Sequence, residues 1–255
     1  MPAHRQTRPA ALDVSDLAAR IDRALPFTTV TPVPSRATVW CTDVVERVRG
    51  GGDPLAPWRR ALATQQGSLD QPHIAAAFVL QWWCEVVAIP MAYAAELGPP
   101  ALASGGAGLG FELAPGLYPH RLVLDPARVV LAWGSPDAAD PAQQALPDPA
   151  QQALPDPAQQ ALRDPTRPSR AAAIAAGRAA YDLLVSDVVR DFAPEVKMSS
   201  RQRWGVAQDV WTAAVRRAAG AAGRPTGPEQ RRISCCFIYA LPGMTECVSC
   251  PRRSV

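Results

Sequence analysis

Apolar and polar positions divide this chain into helical blocks separated by stretches rich in proline and glycine. Val14, Leu17, Ile21 and Leu25 recur at helical intervals, which predicts a short amphipathic helix over 13–25 with Asp13 or Ser15 as its cap. Residues 26–40 carry Pro26, Pro32 and Pro34 among β-branched residues and read as an irregular or extended connection. A second helix is expected from about Trp40 to Val48, closed by Gly50-Gly51-Gly52. The stretch from Ile74 to Leu97 is almost wholly apolar, which suits a buried core helix kinked or ended around Pro90. It is also long enough to cross a bilayer, but Gln81, Glu85, Pro90 and Glu96 interrupt it, and an ionised Glu85 would be costly in lipid. The core reading is preferred, with peripheral association at a membrane left open.

Beyond this block, residues 98–116 hold too much Gly and Pro for a regular element. GGAGLG at 105–110 has neither a strand before it nor a helix after it, so it reads as a loop and not as a nucleotide cradle. RLVLDPARVVLAW at 121–133 predicts a β-hairpin about Asp125-Pro126-Ala127-Arg128. The octapeptide DPAQQALP then stands at 140–147 and 148–155, and as DPAQQALR at 156–163. With Pro recurring in so short a unit, this array reads as an extended, solvated linker. Helical periodicity returns near Pro168, with Ile174, Tyr181, Leu184, Val185 and Val188 on one face. A last helix follows, capped by Ser199 or Ser200, with Trp204, Ala207, Trp211, Ala214 and Val215 as its buried stripe and Gly220 near its end. The expected fold is therefore mainly α with a small β-hairpin, an α+β arrangement. A helical domain of residues 1–228, with an insertion at 140–163, precedes a short C-terminal segment of residues 229–255.

Composition narrows the function. A chain of 255 residues can bury a real core without covalent staples. The net charge of +3 is almost all arginine, Lys197 being the sole lysine, and it is spread along the chain, which argues against a dedicated nucleic-acid binder. The N-terminal stretch lacks an apolar signal core, so the expected compartment is the reducing cytoplasm. There, clustered cysteines are metal ligands or redox groups more often than structural disulfides.

Four of the six cysteines, Cys235, Cys236, Cys247 and Cys250, lie in SCCFIYALPGMTECVSC at 234–250. Leu241-Pro242-Gly243 reads as a turn that brings the two pairs together. Four thiolates can close the ligand set of zinc or of an iron–sulfur cluster. Adjacent cysteines point apart in extended chain, which suits two bridged irons better than one tetrahedral ion. Zinc stays open on this ground alone, as does an exchange-active disulfide. Arg231, Arg232, Arg252 and Arg253 flank the pairs. They would stabilise an anionic cluster and steer an acidic donor or an anionic chelate, or, for the last two, form a solvated basic tail.

RRISCCFIYALPGMTECVSCP resembles the C-terminal signature of the FhuF-like ferric-siderophore reductases, in which Cys-Cys-x10-Cys-x2-Cys binds a [2Fe-2S] cluster. The adjacent pair, both intervals, the preceding Arg-Arg and the intervening Tyr-x-Leu-Pro carry the likeness. QWWCEVVAIPMAYA and RWGVAQDVWTAA are weaker echoes of the family upstream. The resemblance implies a [2Fe-2S] cofactor on Cys235, Cys236, Cys247 and Cys250, and a cytoplasmic one-electron reduction of an Fe(III)-siderophore of hydroxamate type. It also implies a ferredoxin or a flavin-dependent electron donor. The alternative is a non-enzymatic siderophore- or protein-binding module with a structural zinc or iron–sulfur clasp. Nothing carries over to Cys41 or Cys84, and Cys84 reads as a small buried hydrophobe. The scattered His4, His73 and His120 read as structural or exposed.

Overall fold

A computed structural model describes residues 13–26, 28–97, 101–102, 106–129, 131–132, 169–228 and 230–253. The octapeptide array and His4 lie outside the described residues. Asp13 caps helix α1 (Val14–Ala24) by accepting the Asp16 N–H at 2.7 Å. The expected face of α1, Val14, Leu17 and Ile21, is buried. Helix α2 (Cys41–Arg49) ends at Gly50, as its sequence predicts. Helix α3 (Ala56–Gln65) was not anticipated, because its apolar positions are few; Pro57 sits in its first turn, where a missing N–H costs nothing.

Helix α4 (Pro72–Leu97) is the axis of the fold. It runs through Pro90 to Leu97 and does not end at the proline. By length and composition it could cross a membrane, yet 78% of its apolar window is buried inside the fold. Helices α5 (Arg170–Asp191) and α6 (Ser200–Ala221), capped by Ser169 and Ser199, pack along it. Tyr181 on α5 lies against Trp211 on α6, centroids 5.2 Å apart, and its hydroxyl donates to the Ala207 carbonyl at 2.9 Å. Where the three helices meet, the buried Glu96 carboxylate accepts from Arg170 at 2.5 Å and pairs with Arg224 at 3.2 Å. Trp204 departs from the expected stripe: it is 40% exposed, while Ala207, Trp211 and Ala214 are buried.

The β-structure corrects the expected hairpin. Strands β1 (Thr29–Thr31), β2 (Val39–Trp40), β4 (Leu109–Leu113) and β5 (Pro119–Leu124) form one mixed sheet in the order β1-β5-β4-β2. Strands β3 (Ala101–Leu102) and β6 (Leu131–Ala132) form a second pair. The two runs of 121–133 thus enter different sheets, and the hairpin is β4–β5, closed over 114–118. Two strands rise from the stretch at 98–116 that composition assigned to irregular loop, and two more from the connection at 26–40. Partners across the sheet decide these: β1, β2 and β3 are only two or three residues long and carry no local signal, and the glycines before and within β4 mask its apolar run. Phe111, on β4, stacks on Trp58 of α3 at 5.6 Å and meets Trp83 of α4 edge-on at 6.4 Å, which seats the sheet on the helices. In GGAGLG, Gly106 and Gly108 have φ of +86° and +80°, and a Cβ on Gly108 would come within 2.8 Å of the Val129 nitrogen. These glycines serve a turn and a close backbone approach, in keeping with a loop.

Candidate metal centre

The cysteine segment is an arm laid on one stripe of α6. Gln202, Gly205 and Asp209 follow at i, i+3 and i+7, so they share a face. Gln202 donates to the Cys235 carbonyl at 3.1 Å. Gly205 admits the arm closely, since a Cβ there would stand 3.1 Å from Ile233 and 3.3 Å from Ser234. Asp209, its side chain 8% exposed, accepts the Ile233 and Ser234 N–H groups at 2.8 Å each and the Ser234 hydroxyl at 2.6 Å. Helix α4 adds a tie, for Arg232 donates to the Gln81 side chain at 2.9 Å, and Gln81 donates to Glu85 at 3.2 Å.

The two halves of the arm are joined to each other. The Arg232 N–H donates to the Ser249 carbonyl at 3.0 Å, and Arg231 donates to the Arg253 carbonyl at 2.6 Å and to that of Pro251. Between them the chain reverses at Leu241-Pro242-Gly243, with Gly243 at φ +75° and the Met244 N–H bonded to the Leu241 carbonyl. Proline second and a left-handed glycine third are the requirements of a type II turn. The expected turn is thus in place.

This folding brings all four thiols to one locality. Cys236 and Cys250 are buried, Cys235 and Cys247 half-buried. Cys235 is near enough to hydrogen-bond Cys250, and Cys247 feels both Cys236 and Cys250. Burial, and then the neighbouring thiols, push the Cys235 and Cys247 thiols up from their ordinary range. The Phe237 N–H, 3.4 Å from the Cys235 sulfur, and the Arg232 charge near Cys247 act the other way. Phe237 reaches this position at φ +60°, and its ring meets His73 of α4 edge-on at 5.0 Å. Among the described residues, no three His, Cys, Asp or Glu side chains converge as a ready-made metal cage.

The donor set fits a thiolate-bound cluster on three observations: Cys235 and Cys247 each lie within electrostatic reach of both Cys236 and Cys250, a backbone N–H is aimed at the Cys235 sulfur, and guanidinium charge stands near Cys247. Cys41 and Cys84 are fully buried in the hydrophobic core, and burial pushes both thiols up, Cys84 to about 12. They remain protonated core residues, as expected for Cys84.

Sequence reading missed Gln81, Gln202, Gly205 and Asp209. For the last three the available signal was the polar or small stripe at helical spacing on the tryptophan helix, which has meaning only once the arm is seen upon it. The arginine flanks both join the arm. Arg231 and Arg232 knit the arm together, while Arg252 lies 4.7 Å from the centre of the Tyr239 ring and 3.6 Å from Glu246, which ties it to the arm as well.

Residues 232–252 match the family model described as the FhuF 2Fe-2S C-terminal domain. The matched segment is the docked arm with its four cysteines. It supports an iron–sulfur protein concerned with siderophore iron, and it points to a [2Fe-2S] cluster as the cofactor. No curated protein and no solved structure matches the chain.

Proposed function

We propose that this protein is a cytoplasmic reductase of Fe(III)-siderophores of hydroxamate type, with Cys235, Cys236, Cys247 and Cys250 as the ligands of a [2Fe-2S] cluster. The observation that carries the reading is the gathering of these four thiols by an arm whose residues match the FhuF cluster domain. When bound, the cluster supplies one electron at a time. The chain's own residues do the positioning. Asp209 and Gln202 hold the backbone of the first pair, the Arg232–Ser249 bond ties in the second, and the Phe237 N–H favours sulfur as an anion.

The substrate chemistry asks little else of the protein. Fe(III) is a hard ion gripped by anionic oxygens, whereas Fe(II) is held far less tightly, so a single added electron loosens the metal. No nucleophile is needed. The electron comes from a ferredoxin or a flavin-dependent donor. Residues 229–255 form the cluster-bearing segment and residues 1–228 the helical domain that supports it.

Anaerobically purified protein tests the reading. Two irons and two acid-labile sulfides per chain are expected, with a visible chromophore that dithionite bleaches and a panel of ferric hydroxamates restores. Serine at any of the four cysteines should abolish the chromophore, whereas serine at Cys41 or Cys84 should keep it. Stoichiometric zinc in a colourless protein would overturn the cluster assignment, and a bleached protein that no ferric hydroxamate reoxidises would overturn the activity.

A further inference from the structure

We infer that the cleft between α4, α6 and the cysteine arm is the docking site of the ferric chelate, and that it selects chelates bearing net negative charge, such as hydroxamates with pendant carboxylates. The ligand's identity rests on the reductase reading above. The cleft's volume is about 650 Å³, inside the range of roughly 300–1,000 Å³ typical of small-ligand sites. Gln81 and Glu85 of α4 form part of its wall, Thr212, Arg216 and Arg217 of α6 another, and the arm contributes Arg231, Arg232 and Ser249. Ser249 immediately precedes Cys250. A ligand seated here rests against the chain segment that carries the thiols.

Charge decides the ligand class. Four arginines line the cleft against two carboxylates, Glu85 and Asp209. Asp209 is already spent on Ile233, Ser234 and Arg232. Glu85 is 24% exposed, and its nearest Arg217 nitrogen is 3.9 Å away. Burial disfavours its charge, with Arg217, Gln81 and Arg232 opposing that only in part. Arg231 donates to neutral carbonyls, so its charge is uncompensated. Arg216, partly exposed, has no ion pair or hydrogen bond among the described residues. A concave site with unneutralised guanidinium groups concentrates anions. Three hydroxamates neutralise Fe(III), so a simple ferric trihydroxamate carries no net charge, and each pendant carboxylate adds one negative charge that these arginines can pair with.

The test uses cluster-loaded protein reduced with dithionite and freed of excess reductant. Its reoxidation is followed by stopped flow with three ferric hydroxamates: one neutral, one cationic and one carrying carboxylates. The carboxylate chelate should react fastest, lose about ten-fold or more in rate constant between low salt and 0.5 M salt, and lose about ten-fold in Arg216→Gln/Arg217→Gln. The rate with the neutral chelate should fall by less in that variant, so that the ratio of carboxylate-chelate to neutral-chelate rates drops about five-fold or more. Equal rates for the three chelates, indifferent to salt and to the double variant, would overturn the cleft assignment and leave the reductase reading standing. If none reoxidises the protein, the reductase reading fails, and calorimetric titration with the redox-inert gallium(III) carboxylate chelate decides the cleft separately. Binding weakened about ten-fold in the double variant supports the site; equal affinity refutes it.

Discussion

Asp209→Ala removes the bond set that holds the cysteine arm to α6. Three contacts of 2.6–2.8 Å go at once, two of them from backbone N–H groups. A hydrogen bond to a charged partner contributes about 1.5–3 kcal/mol, and water entering the gap returns part of the sum. A loss of about 3 kcal/mol remains, which lowers the ratio of docked to undocked arm roughly 100-fold. The helical body should hardly notice, because the hydrophobic core cluster draws none of its described residues from the arm. The expected result is iron and labile sulfide well below wild-type stoichiometry after anaerobic reconstitution, with far faster loss of colour to a chelator. The far-UV thermal transition should be nearly unchanged. Asp209→Asn, which keeps one carbonyl acceptor, should fall between the two. Wild-type iron content and chelator resistance in the alanine variant would refute the claim that this carboxylate docks the arm. A collapsed thermal transition would show that arm and body fold as one unit.

Other outcomes follow from the same structure. Glu85→Gln should raise the melting temperature near neutral pH, and the gain should vanish below about pH 4.5. Burial raises the folded-state pKa of this carboxyl, so its penalty is absent while both states are protonated and grows as pH rises. Glu112 works in the opposite sense: although burial opposes it, bonds from Ser35, Thr38 and Arg121 hold its carboxyl below the usual range. Its contribution is present above about pH 4.5 and is lost as pH falls further, so Glu112→Gln should flatten the acid limb of a stability–pH curve. Gly108→Ala should cost about 1–3 kcal/mol in denaturant unfolding, because φ of +80° and the 2.8 Å approach to Val129 both exclude a Cβ. Deleting residues 140–163 should leave iron content and the visible spectrum intact; loss of the chromophore would show that the octapeptide array supports the arm.

How much was legible in the chain depends on the distance over which each interaction acts. Helices α1, α2, α5 and α6 were readable because caps at Asp13 and Ser199 and apolar intervals of three and four residues act within a turn or two. The turn at Leu241-Pro242-Gly243 was readable for the same reason, since proline and glycine set their own dihedral angles. The four cysteines announced themselves by spacing alone.

Long-range pairing was not readable. Leu122 sits between Val30 and Phe111 in the sheet, partners 92 and 11 residues away, so β5 could not be assigned to its neighbours from its own apolar run. Trp204 looked like core because its spacing from Trp211 fits a stripe, but no neighbouring element covers it fully. Sequence by itself determined helices α1, α2, α5 and α6 and the thiols, because local sterics and residue chemistry suffice for these. Only the tertiary structure decided that Gln202, Gly205 and Asp209 form a dock, that Gln81 reaches Arg232, and that the arginines open onto a cleft beside the thiols. Each of those facts depends on two segments far apart in the chain meeting on one helix face.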